Sequence, residues 1–65
     1  MTPEELTEIR HKLGWTKVRL AKELGTTDRS IRRWESGGAP ISKMVESAVR
    51  MIAERHGLPS KYRLP

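Results

Sequence analysis

Residues 16 to 37 read Thr-Lys-Val-Arg-Leu-Ala-Lys-Glu-Leu-Gly-Thr-Thr-Asp-Arg-Ser-Ile-Arg-Arg-Trp-Glu-Ser-Gly, and their punctuation divides them into two short helices joined by a tight turn. Thr16 is a favourable N-cap, and Leu20, Ala21 and Leu24 give the first helix an apolar side. Gly25 stops it, because glycine takes the left-handed C′ conformation without a Cβ penalty. The second helix begins at once behind Thr27. Its apolar residues Ile31 and Trp34 are three apart and share a face, while Arg29, Arg32 and Arg33 cluster opposite at about 100° per residue. One face holds the helix to a domain. The other is free to meet a partner.

Two such helices, the second laden with arginine, have the layout of a helix-turn-helix that sets its second helix in the DNA major groove. The composition agrees. Thirteen Lys and Arg against eight Asp and Glu give a net charge of +5 and a pI near 10.3, a balance that favours a polyanion. With 65 residues the chain makes one domain, near the size at which a core without staples stabilises a fold, and a large internal active site does not fit. The absence of cysteine removes disulfides, thiolate nucleophiles and cysteine zinc sites, and His11 and His56 lack metal-ligand spacing. We therefore expect no enzyme, no metal, no cofactor and no small-molecule ligand. No apolar run approaches the roughly 20 residues of a membrane span, and Met-Thr-Pro-Glu-Glu lacks the regions of a signal peptide. A cytoplasmic protein that makes no membrane contact is expected.

Working outward, Thr2-Pro3-Glu4-Glu5 is a helix start: Thr2 caps, Pro3 suits the first turn and Glu5 completes a capping box. Leu6, Ile9 and Leu13 follow as an apolar stripe that Gly14 ends. Trp15 precedes the Thr16 cap and is placed to pack on Leu20 as a hydrophobic staple. The arginine-bearing helix closes at Ser36-Gly37-Gly38. Pro40 then permits a fourth helix from Ile41 to His56, ended by Gly57 and Pro59. The reading is a four-helix, all-α domain over residues 1–57 with a short basic tail over 58–65.

The fourth helix carries more apolar surface than one core contact needs. Ile41, Val45, Ala48 and Ile52 form the natural inward stripe, with Met44 and Met51 on one flank and Val49 and Ala53 on the other. The surplus predicts self-association through Met44, Met51 and the tail residues Leu58, Tyr62 and Leu64. The plainer reading is that helix one and the tail cover everything.

With these residues in place the chain resembles the phage repressor and Cro class of helix-turn-helix regulators, the XRE-like family. The resemblance rests on Leu13-Gly14-Trp15-Thr16, Leu20-Ala21, Leu24-Gly25-Thr26-Thr27, Ser30-Ile31 and Trp34-Glu35-Ser36-Gly37, and covers about residues 3 to 56. It implies a lambda-repressor-like DNA-binding domain in which Arg10 and Glu35 link the first helix to the end of the recognition helix. Such a pair, if buried, fixes orientation more than it adds net stability. Two departures stand out. Lys17 replaces the usual glutamine, and no fifth helix is expected, since only eight residues, Pro59 and Pro65 among them, follow Gly57.

A recognition helix reads bases from its N-terminal residues, and arginine's planar fork matches the O6 and N7 acceptors of guanine. Arg29 and Arg33, one turn apart, are the readers. Asp28, base-facing by resemblance, either accepts from cytosine N4 or serves the helix N-terminus and an i,i+4 pair with Arg32. Arg32 is read as a phosphate contact. Thr16, Lys17, Thr27 and Ser30 offer hydroxyls, a cation and N–H groups at helix N-termini, and Ser36, Gly37, Gly38 and Lys43 extend the phosphate-binding set. Arg19 and Lys22 fit solvated surface charges equally well and are not counted among the site residues.

The expected function is a sequence-specific regulator of transcription: an autoregulating repressor that binds double-stranded DNA as a homodimer on an inverted repeat. A protein-interaction module, such as an antitoxin or anti-repressor with weak DNA binding, is the rival from another class. A monomeric accessory factor in recombination is a third.

Overall fold

A computed structural model describes residues 1–64; Pro65, the last residue of the predicted tail, lies outside them. The order along the chain is α1 (Pro3–Leu13), α2 (Lys17–Leu24), α3 (Asp28–Ser36), α4 (Lys43–Arg55) and one 3₁₀ turn, Ser60–Tyr62. There is no strand among the described residues. The all-α, four-helix expectation is met.

Each helix start is built from its own local residues. The hydroxyls of Thr2, Thr16, Thr27 and Ser42 each accept from the backbone N–H three residues on, at 3.1 to 3.2 Å. At α1 the Glu5 carboxylate returns the favour by accepting from the Thr2 N–H, which completes the capping box. Each helix end uses a glycine with positive φ, followed by a residue whose N–H reaches back to a carbonyl of the last turn. At Gly25 (φ 74°) this lets Thr26 N–H bond Ala21 O at 2.9 Å, turning the chain sharply enough for Thr27 to start α3 two residues later.

Leu6, Ile9, Leu20, Ile31 and Val49 are fully buried, so all four helices feed one core. Each such side chain contributes about 1.5–3 kcal/mol through apolar burial. α2 packs most closely on α3, α1 packs on α3 and touches α4, and α4 also meets α2. Trp15 and Trp34 are half-buried and lean on this core from its margins.

Two sequence expectations are corrected here. α4 begins at Lys43 rather than Ile41, because the Ser42 hydroxyl caps the Val45 N–H and leaves Ile41 in the preceding loop. The inward stripe is also rotated: Val49, Ile52 and Ala53 are buried, Val45 is half-buried beside them, and Ala48 lies toward the margin.

A third correction concerns the tail. Leu58 and Tyr62, expected at a subunit interface, are 9% and 4% exposed and belong to the protomer's own core. Gly57 N–H bonds Glu54 O and Leu58 N–H bonds Ala53 O, both at 3.0 Å; this paired closure folds Leu58 back over the last turn of α4. Tyr62 then donates its hydroxyl to Glu8 of α1 at 2.7 Å. Arg50 ties the same region together, donating to Glu5 at 3.0 Å, to Glu46 at 3.2 Å and to the carbonyl of Tyr62 at 3.4 Å. Arg63, also in the tail, donates to the carbonyl of Leu58. Packing therefore does not break at Gly57, and residues 58–62 complete the core where a further helix was not expected.

Candidate nucleic-acid interface

The geometry of α3 follows from its division into two faces. Ile31 is fully buried and Trp34 half-buried, whereas Arg29, Arg32 and Arg33 are exposed. Among the described residues neither Arg29 nor Arg33 makes a side-chain hydrogen bond or ion pair, so both forks are open to an acceptor. Arg32 differs. Its guanidinium stands 3.6 Å from the Asp28 carboxylate in an exposed i,i+4 pair, the arrangement weighed against base reading by Asp28. Such a pair is worth about 0.3–0.5 kcal/mol, so solvent or DNA can displace it.

The residues expected on phosphate surround this helix. Thr27 and Ser30 lie together at its N-terminus, where the Thr27 hydroxyl caps Ser30 N–H and bonds the Ser30 hydroxyl at 3.2 Å. Lys17 at the start of α2 and Arg32 line one groove with Thr7, Glu35 and Ser36, which gathers two cations, two hydroxyls and a carboxylate from three helices. Ser36 donates to Arg33 O at 3.1 Å, closing α3, and Gly37 and Gly38 run on from it exposed. Thr16 caps α2 and Lys43 is the first residue of α4, exposed.

What fixes α3 against α1 is the Arg10–Glu35 pair. Arg10 is 8% exposed; its Nε donates to Glu35 at 2.7 Å and its Nη2 at 3.1 Å, while Nη1 donates to Trp15 O at 2.9 Å. One guanidinium thus joins α1, the turn before α2 and the end of α3. The bidentate fork restrains direction as well as distance.

Sequence reasoning passed over one feature beside α2. The Arg19 guanidinium stacks over the Trp15 ring, 4.6 Å from its centroid, and its Nε donates to Glu23 at 3.3 Å. His56 meets the same indole edge-on, with centroids 5.1 Å apart. A Trp five residues after Arg10 and four before Arg19 was the available signal.

Fold and site together define a helix-turn-helix DNA-binding domain. A family model described as helix-turn-helix matches residues 6–45, from the first core leucine of α1 to the first turn of α4. The chain belongs to the Cro/C1-type, XRE-like helix-turn-helix family of DNA-binding transcription regulators. No curated protein and no solved structure matches it. Among the described residues no helix is long and apolar enough to cross a membrane.

Proposed function

We propose that the protein is a transcriptional repressor that binds an inverted-repeat operator as a homodimer, with α3 in the major groove. The observation that carries this reading is the pair Arg29 and Arg33: one turn apart, exposed and unpartnered on the face opposite Ile31. Each fork suits guanine, and Asp28 beside them suits cytosine N4. Thr16, Lys17, Thr27, Ser30, Arg32, Ser36, Gly37, Gly38 and Lys43 set the register on phosphate, and occupancy of the operator blocks access to the promoter.

Dimerisation is inferred from the outer side of α4, where Met44 is 83% and Met51 50% exposed, and from exposed Leu64. A reader one short helix long gains specificity by acting in pairs, with half-site centres about 34 to 36 Å apart. Selection from random-sequence DNA, followed by sedimentation of the protein with the recovered duplex, tests both parts. Two copies on an inverted repeat of that spacing support the reading. One copy on a non-palindromic site removes the dimer. Failure to enrich any sequence removes DNA recognition and favours a protein-interaction module docking through the same exposed methionines.

A further inference from the structure

We infer that Arg19 is a preordered DNA-phosphate contact, held on the Trp15 ring so that α2 grips the backbone from both sides of its N-terminus. The inference rests on the DNA-binding reading above and adds to it a residue that the sequence left outside the site.

Arg19 is restrained at two points and open at two others. The Trp15 ring covers one face of the guanidinium at 4.6 Å, and Glu23 takes its Nε at 3.3 Å. Trp15 is itself fixed: its carbonyl accepts from buried Arg10, its ring packs on the core, and His56 abuts the indole. Among the described residues neither terminal nitrogen of Arg19 has a partner, and half of the side chain remains exposed. An ordinary surface arginine loses rotamer freedom when it binds; one already stacked and tethered loses less for each bond formed. Stacking on an aromatic face also leaves the edge of the fork free for phosphate oxygens.

The position gives this fork its target. Lys17 and Arg19 are about 200° apart around α2, so they stand on opposite flanks of the helix. Between them lies its N-terminus, where the Arg19 N–H bonds the Thr16 hydroxyl at 3.1 Å and the helix dipole favours an anion. A strand that meets Lys17 on the Arg32 side of α2 continues across this end toward Arg19 on the Trp15 side. Lys17 serves as a mobile point charge. Arg19 serves as a rigid fork on the other flank, a sequence-independent hold on the backbone.

The test is a salt titration of binding to a fluorescein-labelled duplex carrying the selected site, using wild type, Arg19→Ala and Arg19→Lys. Loss of one phosphate contact reduces the slope of log K against log salt by about 0.9 per bound protomer. Arg19→Ala is expected to show that reduction and about tenfold weaker binding at low salt, equally on operator and on random-sequence duplex. Arg19→Lys is expected to keep the slope while losing part of the affinity, since charge remains and the fork does not. Thermal melts alongside are expected to show little change for either variant. An Arg19→Ala protein with the wild-type slope overturns the inference, even where its affinity falls. Wild type without salt-dependent binding to either duplex overturns the DNA-binding reading itself.

Discussion

Replacing Glu35 by glutamine removes the charge that faces Arg10 while keeping nearly the same shape, which makes it a direct probe of what holds α1 to α3. The two side chains are 10% and 7% exposed, so solvent cannot take over from the missing carboxylate. Arg10 would keep its bond to Trp15 O, but two charge-assisted bonds of 2.7 and 3.1 Å would face an amide that offers one acceptor and an unwanted N–H. Removing one partner of a buried pair costs about 3–5 kcal/mol, most of it the burden of an uncompensated cation. A domain of this size has about 3–10 kcal/mol in total, at roughly 0.05–0.15 kcal/mol per residue. Glu35→Gln should therefore bring the protein close to its unfolding midpoint in water. The contrast is the double variant Arg10→Met with Glu35→Leu, which removes both charges and fills the volume. It should be within about 1 kcal/mol of wild type or more stable. Urea unfolding of wild type, Glu35→Gln, the single variants Arg10→Met and Glu35→Leu, and the double variant measures the coupling. A Glu35→Gln protein that loses under 1 kcal/mol, or a double variant no better than the worse single one, would show that the pair is not a desolvated unit and refute the argument.

Arg29→Ala and Arg33→Ala should each cost about 1–3 kcal/mol on the selected site and relax base choice at one position per half-site; uniform weakening across a panel of single-base variants would reassign them to phosphate. Met44→Glu together with Met51→Glu should leave the helical CD spectrum intact, abolish dimers in sedimentation and lower operator affinity; a double variant that still sediments as a dimer places the interface elsewhere. Acid should loosen the α1–α4 contact. Glu5 is held below the ordinary carboxylate range by the Thr2 N–H and then by Arg50, and Glu46 is lowered chiefly by its bond from Arg50. Folded-state values depressed in this way stabilise the fold above the unfolded glutamate value of about 4.3, and that stability is lost as pH falls through the lowered values. Thermal melts from pH 6 to pH 2 should show the loss, and it should shrink in Arg50→Met.

The helix boundaries at Thr2, Thr16 and Thr27, and the stops at Gly14, Gly25 and Gly37, were legible because a hydroxyl three residues before a waiting N–H is a local arrangement. The Arg29 and Arg33 face was legible for the same reason, since helical periodicity alone separates it from Ile31. The Arg10–Glu35 pair spans 25 residues and was reached through family resemblance, not from any local pattern. α4 shows where local signals compete. Pro40 signals a start at Ile41, and the hydrogen bond from the Val45 N–H to the Ser42 hydroxyl sets the start two residues later, at Lys43. The tail was misread because what buries Tyr62 is a contact with Glu8, 54 residues away, and a carbonyl held by Arg50. A trace of it was present in Gly57-Leu58, where an apolar residue after a C′ glycine signals a chain that folds back on its helix.

Side-chain caps at the start of every helix and glycine closures at their ends also bear on the rate at which this domain forms. Each boundary is settled among residues no more than five apart, so little loop closure is needed before a helix has its limits. Chains dominated by such local contacts fold in microseconds to milliseconds. The distant links, Arg10 to Glu35 and Tyr62 to Glu8, then join segments whose ends are already defined. For a DNA-binding regulator, that leaves the interval between synthesis of the chain and its first encounter with DNA to diffusion, with the folding step too brief to register.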